Sequence, residues 1–229
     1  MISLKERYIF VHVPKTAGTS IKRYLAGYDM KRNFRPTPDF RPDPDDILYL
    51  YQHLTAEQLR EELRTHDSAV IERSFFQFAF VRNPWDRVLS AFVYLSHGGG
   101  GSLKDLENAW KLKAFNLSFK SFVKDGLQHF GENVSHFLPQ YHWTHKNLSD
   151  IPIDYIGRFE NLQVDLEKIL MIIRPGQSFV SDQFPWLRKS DHDHYSVYYD
   201  DETKDLVADF YREDIKLLGY EFENKTGRK

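Results

Sequence analysis

No cysteine occurs among the 229 residues, which excludes disulfides and thiolate metal ligands and suits a reducing compartment without requiring one. An excess of charge is missing too. The 31 Lys+Arg stand against 33 Asp+Glu, a formal net charge of -2, so no global field draws nucleic acid or acidic membranes. Any anion site must be local. No apolar run approaches membrane-spanning length, and the opening Met1-Ile2-Ser3-Leu4-Lys5-Glu6-Arg7 lacks the apolar stretch of a signal peptide. These absences predict a cytoplasmic protein with no nucleic-acid partner and no membrane insertion. Neither an internal repeat nor a separate linker is visible, and the length suits one domain.

What is present is an alternation. Strand-like runs at residues 8–13, 47–51, 75–81 and 155–159 each lead toward a helical pattern, which predicts an α/β protein with a central parallel sheet flanked by helices. Residues 33–46 carry Pro36, Pro38, Pro42 and Pro44 and read as a surface excursion. Thr55 and Gln58 have capping-box spacing and predict a helix to about Thr65. The glycine run from His97 to Ser102 is a flexible break, either a lid hinge or a surface loop. From there to about Trp143 the chain reads as helical and aromatic. Asp200-Asp201-Glu202-Thr203 opens a last helix with Leu206, Val207, Phe210, Ile215 and Leu218 on one side, and Gly219 ends it.

Two stretches carry chemistry. The first is "HVPKTAGTS", residues 12–20, between a strand and a helix. Such a loop aims backbone N–H groups beyond the carboxyl end of a strand, where open α/β sheets bind ligands and a helix N-terminus favours anions. Gly18 permits close approach or positive φ, Thr16, Thr19 and Ser20 offer hydroxyls, and Lys15 supplies charge. The order differs from Gly-x-x-x-x-Gly-Lys-[Ser/Thr], because Lys15 precedes the glycine. The plainer alternative is a capped turn with Thr19 or Ser20 as N-cap.

The second stretch is "FAFVRNPWDRVLSAF", residues 78–92. Asn83 suits an N-cap, Pro84 the first helical position, and Asp86 lies three residues on, so the helix start is well specified. That puts Arg82 at a strand's end, on the sheet edge expected for the first loop, and Ser90 inside the helix.

In this order the two stretches resemble the sulfotransferase superfamily that uses 3′-phosphoadenosine 5′-phosphosulfate, in the branch of the heparan and chondroitin carbohydrate sulfotransferases and their bacterial relatives. The likeness extends to "QHLT" at 52–55, "DYIGRFENLQVDLEKIL" at 154–170 and "YYDDETKDLVADFYREDIKLLGYEF" at 198–222. It implies a sulfotransferase fold similar to that of the P-loop NTPases. It also implies a 5′-phosphosulfate loop made of Lys15, Thr16, Ala17, Gly18, Thr19 and Ser20, and a 3′-phosphate held by Arg82 and Ser90. In the family no metal is required, and the His192-x-His194 pair reads as a solvated loop. Lys15 suits the charge of a loose in-line transfer.

The resemblance points to His53 as the base for the acceptor hydroxyl, although Gln52 stands where a glycine is common. Glu57 and Glu61 are the alternatives, since other members of the superfamily use a glutamate. Lys189 and Ser190, in "LRKSDHDHY", match a loop that closes over the nucleotide and touches the 3′-phosphate. Arg158 and Glu160 read as a structural pair rather than as cleft residues. The implied partner is a hydroxyl acceptor: a glycan, a lipid or a small metabolite. Two rival readings stay open, an ATP-dependent P-loop kinase and a nucleotide-binding module without catalysis.

Overall fold

The computed structural model describes residues 1–3, 5–26, 48–49, 55, 58, 75–145, 153–187 and 192–225. Within these lie β1 (Ile2–Ser3), β2 (Tyr8–Val11), β3 (Leu48–Tyr49), β4 (Phe76–Val81) and β5 (Tyr155–Arg158). The helices used below are α1 (Gly18–Ala26), α2 (Pro84–Ser96), α3 (Leu103–Leu112), α4 (Leu127–Asn133), α5 (Leu162–Ile173), α6 (Asp201–Phe210) and α7 (Arg212–Leu218).

The strands join in the order β3-β1-β2-β4-β5. β2 pairs with β4, and β4 with β5, in parallel, whereas β1 is antiparallel to both β2 and β3. Hence β3, β2, β4 and β5 all run one way, as the alternating pattern predicts. The short antiparallel β1 is an addition to that prediction; two residues are too few for a period-2 pattern. Strand ends also move inward: β2 stops at Val11 rather than Val13, and Phe159 opens a 3₁₀ turn instead of extending β5.

The chain divides into two compact units, Met1–Val81 with His142–Arg188, and Arg82–Tyr141 with Lys189–Lys229. In the first unit Tyr8, Phe10, Phe78 and Phe80 are fully buried, as central parallel strands require. Their rings pack along the sheet, with Phe10 and Phe78 stacked at 5.1 Å. Leu162, Leu166, Ile169, Leu170 and Ile173 form the buried stripe of α5 over this face, and Ile21 and Leu25 do the same for α1. Gly157 is required by packing, because a Cβ there would meet Phe80 Cε1 at 2.6 Å.

The second unit is built on α2. Trp85, Val88, Leu89, Phe92 and Leu95 pack with Phe119, Phe122, Leu127, Phe130, Phe137, Val207 and Tyr211. The helix begins as the sequence predicts: the Asn83 side chain accepts from the Trp85 amide at 3.1 Å and Pro84 takes the first helical position. The glycine run is a bonded turn, in which the Gly100 amide donates to Asp105 Oδ2 at 2.9 Å and Ser102 caps α3. The predicted last helix is two helices, broken at Tyr211, with Asp200 and Thr203 closing a capping box and Gly219 ending α7 at φ 63°.

Thr55 and Gln58 bond reciprocally, Thr55 N–H to Oε1 at 3.0 Å and Gln58 N–H to Oγ1 at 3.3 Å, as their spacing predicts. The proline-rich excursion and the body of the helix after Thr55 lie outside the described residues. No described helix is long and apolar enough to cross a membrane.

Candidate functional site

The loop of the first unit begins where β2 runs out. The Val13 amide donates back to Val11 O at 3.2 Å, so the chain turns out of the sheet after Val11, and Pro14 has no N–H to resume the ladder. It then takes a conformation that no glycine supplies: Lys15 and Ala17 have φ of 68° and 64°, with Thr16 between them. Left-handed backbone costs a non-glycine residue roughly 1–2 kcal/mol, and such strain gathers at functional sites. Alternating left-handed positions turn successive N–H groups toward one point, the concave arrangement that binds anions.

Gly18 opens α1 and is not itself left-handed. Of its two predicted uses, close approach is the one realised, and the approaching group is the ring of His12. The Ile21 amide donates to Ala17 O at 3.0 Å, so the amides of Gly18, Thr19 and Ser20 precede the first bond of the helix. Thr19 and Ser20 therefore lie inside the first turn and neither is the N-cap. No acidic residue occurs in that turn, which leaves the positive end of the helix dipole unopposed within α1.

The hydroxyls have local tasks. Thr16, fully buried, donates to Val13 O at 2.9 Å and tightens the turn. Ser20 Oγ accepts from the Leu187 amide at 3.0 Å and fixes the segment before residue 188 against α1. Lys15 is half-buried, and Lys22 on α1 is buried.

In the second unit Arg82 directly follows the last residue of β4. Its amide donates to Gln140 Oε1 at 2.9 Å, and its carbonyl accepts from Gln140 Nε2 at 2.8 Å. Its Nε donates to Asp86 Oδ2 at 2.8 Å. Asp86 thus orients the arginine head and is also the acidic residue in the first turn of α2, where its spacing from Asn83 predicts it. Ser90, 2% exposed, lies one turn beyond Asp86 on the same face of α2. Asn83 ties the region down further, its Nδ2 donating to Glu221 O at 2.9 Å.

Of the remaining candidates, His53, Glu57, Glu61, Lys189 and Ser190 lie outside the described residues. Arg158 contributes its amide to Asp165 Oδ2 at 2.8 Å. His194 caps a 3₁₀ turn by accepting from the Ser196 amide. Among the described residues no group of three or more His, Asp or Glu is placed to hold a metal. His12, Gln140 and Asp214 carry no motif of their own in the sequence, and their roles arise from contacts in the fold. Gln140 bonds to a residue 58 positions away, and no local pattern signals that.

Comparison with known proteins adds four findings. The family profile described as "Sulfotransferase family" matches residues 1–221. Carbohydrate sulfotransferase 14 of Mus musculus and that of Homo sapiens are each 23% identical over 249 aligned positions, which cover 99% of this chain and 61% of theirs. The chain thus spans about three fifths of the length of these curated relatives. An uncharacterized protein of Archaeoglobus fulgidus is 33% identical over 96 residues, 42% of this chain and 65% of that protein. No solved structure gives a significant match.

Proposed function

Because the chain belongs to the sulfotransferase family, we propose that it moves a sulfuryl group from 3′-phosphoadenosine 5′-phosphosulfate to a hydroxyl of a carbohydrate. The observation that carries this reading is the left-handed pair Lys15 and Ala17 in the loop between β2 and α1. A strained, cationic loop ahead of a helix with no acid in its first turn suits the phosphosulfate end of the donor.

In this reading the amides of residues 15–20 hold the phosphosulfate, with Lys15 neutralising charge that grows on the bridging oxygen as its bond to sulfur breaks. Arg82 and Ser90 take the 3′-phosphate, joined by Lys189 and Ser190. His53 receives the proton of the acceptor hydroxyl as the new S–O bond forms, and Glu57 and Glu61 are the carboxylates to test in its place. No metal is needed, because a phosphate leaving group and fixed positive charge suffice for a loose transfer. The carbohydrate is suggested by what the mouse and human relatives are named for; lipid and small-metabolite hydroxyls belong in the same screen.

Calorimetry tests the donor. Adenosine 3′,5′-bisphosphate should bind without magnesium and more tightly than ATP or ADP. Magnesium-dependent ATP binding tighter than that of the bisphosphate would overturn the reading in favour of a kinase. Labelled donor incubated with oligosaccharide, lipid and small-alcohol panels then identifies the acceptor.

A further inference from the structure

The segment before Tyr141 is held by an unusual number of buried polar groups. Arg87 donates from Nη1 to His136 O at 3.2 Å and from Nη2 to Leu138 O at 2.7 Å. The Tyr211 hydroxyl donates to Phe137 O at 2.5 Å. Asp214 accepts from the Gln140 amide at 2.7 Å and from the Tyr141 amide at 2.8 Å. Three consecutive carbonyls and two consecutive amides are thereby bonded to side chains. Arg87, Tyr211, Asp214 and Gln140 are all fully buried. Burying an arginine and an aspartate is costly, and here the cost is offset by pairing main-chain groups that would otherwise lack partners.

The turn delivers one side chain, that of Gln140. Its amide meets both main-chain groups of Arg82, accepting from N–H and donating to C=O. Those are the two bonds that a neighbouring strand residue would offer, so Gln140 occupies both main-chain groups of Arg82. The orientation of the amide follows from its neighbours. Nε2 also lies 3.4 Å from Asp214 Oδ2, and a flipped amide would set a donor against the Arg82 N–H and an acceptor against that carboxylate. Burial raises the Asp214 pKa, against the opposing pull of Arg87 and the hydrogen bonds from Gln140 and Tyr141.

We propose that Gln140, set by Asp214, is a positioning residue that fixes the main chain of Arg82 and so aims its guanidinium at the 3′-phosphate. The proposal rests on the reading of Arg82 given above. Arg82 is held at its root by Gln140 and at its head by Asp86. Arginine bonds to phosphate depend on the direction of its planar fork, so a loosened root lowers selectivity for the 3′-phosphate before it lowers anything else.

The test is calorimetric binding of adenosine 3′,5′-bisphosphate and adenosine 5′-phosphate to the full chain, Gln140→Met, Arg82→Ala and the double variant. Gln140→Met keeps the volume and removes both bonds. It should weaken the bisphosphate by about tenfold and the monophosphate by less than about twofold, and change neither further in the Arg82→Ala background. Should Gln140→Met lose its cooperative thermal transition, Gln140→Leu replaces it; that variant also removes both bonds to Arg82 without placing a charge beside Asp214, and should show the same selective loss. Equal weakening of both nucleotides, no weakening, or an effect that persists without Arg82 would overturn the positioning role while leaving the Arg82 assignment standing. A parent protein that binds the two nucleotides equally would instead remove the Arg82 assignment, and the role of Gln140 with it.

Discussion

The ring of His12 fills the space that a side chain on Gly18 would need. A Cβ at position 18 would stand 2.0 Å from Cδ2 and 2.1 Å from Nε2 of that ring. His12 is 6% exposed and lies over Phe10 with the planes 19° apart, so it has little room to retreat. The loop and the helix it feeds are thus locked by a contact between a strand-end imidazole and a helix-start glycine. Gly18→Ala should destabilise by about 1–3 kcal/mol, the range for overpacking. His12→Ala should relieve part of that loss in the double variant. Urea melts of the four proteins measure the coupling, and strict additivity would show that the ring is not the obstacle.

Lys15 should separate into a backbone and a side-chain contribution. Lys15→Ala and Lys15→Gly both remove the charge and should both lower turnover about 10²-fold or more, with a smaller change in nucleotide affinity. Since Lys15 has φ 68°, the glycine variant should be the more stable of the two by about 1 kcal/mol. Turnover assays read one effect and thermal melts the other. Lost affinity with intact turnover would make Lys15 a binding residue only.

The acceptor's base is open to a direct measurement. His53→Ala should reduce turnover by about 10²- to 10⁴-fold while adenosine 3′,5′-bisphosphate binding stays nearly unchanged. The parent rate should rise with pH through the titration of a histidine, and that limb should vanish in the variant. A near-normal rate on the true acceptor would move the role to Glu57 or Glu61.

Asp200 predicts a pH dependence of stability. Bonds from Thr203 first, and then from Lys120, hold its carboxyl well below its ordinary value of 3.8. A depressed folded-state pKa contributes stability that is present above the unfolded value and disappears as pH falls toward the folded one. Asp200→Ala should therefore lower the melting temperature by a few degrees at pH 7 through the lost cap. The gap between variant and parent should begin to narrow below about pH 4 and keep narrowing as pH falls further. A gap unchanged down to pH 2 would assign the effect to packing.

Features written in neighbouring residues were legible. Asn83-Pro84, Asp200 with Thr203, and Gly219 each serve the helix end that their spacing indicates, and Thr55 and Gln58 make the reciprocal bonds that theirs does. The strand-loop-helix around Lys15 was legible for the same reason. What escaped depends on contacts between distant residues. The sequence allows Gly18 either positive φ or close approach; the ring of His12 settles which, leaving positive φ to Lys15 and Ala17. Asp214 reaches Gln140 across 74 positions, and neither residue carries a local signal of the other.

The strand order decides how late in synthesis the sheet can be completed. β4 lies between β2, near the start of the chain, and β5, and Gln77 bonds to Asp154 across 77 residues. During synthesis β4 leaves the ribosome and stays without its second neighbour until residues 155–158 follow. All of residues 82–141, which pack in the other unit, emerge in between. A nascent chain at this stage carries a strand that is apolar except for Gln77 and has one open edge, the condition that favours pairing between chains. Truncations that end before Tyr155 should therefore aggregate, and a pause in translation is least harmful once β5 is out.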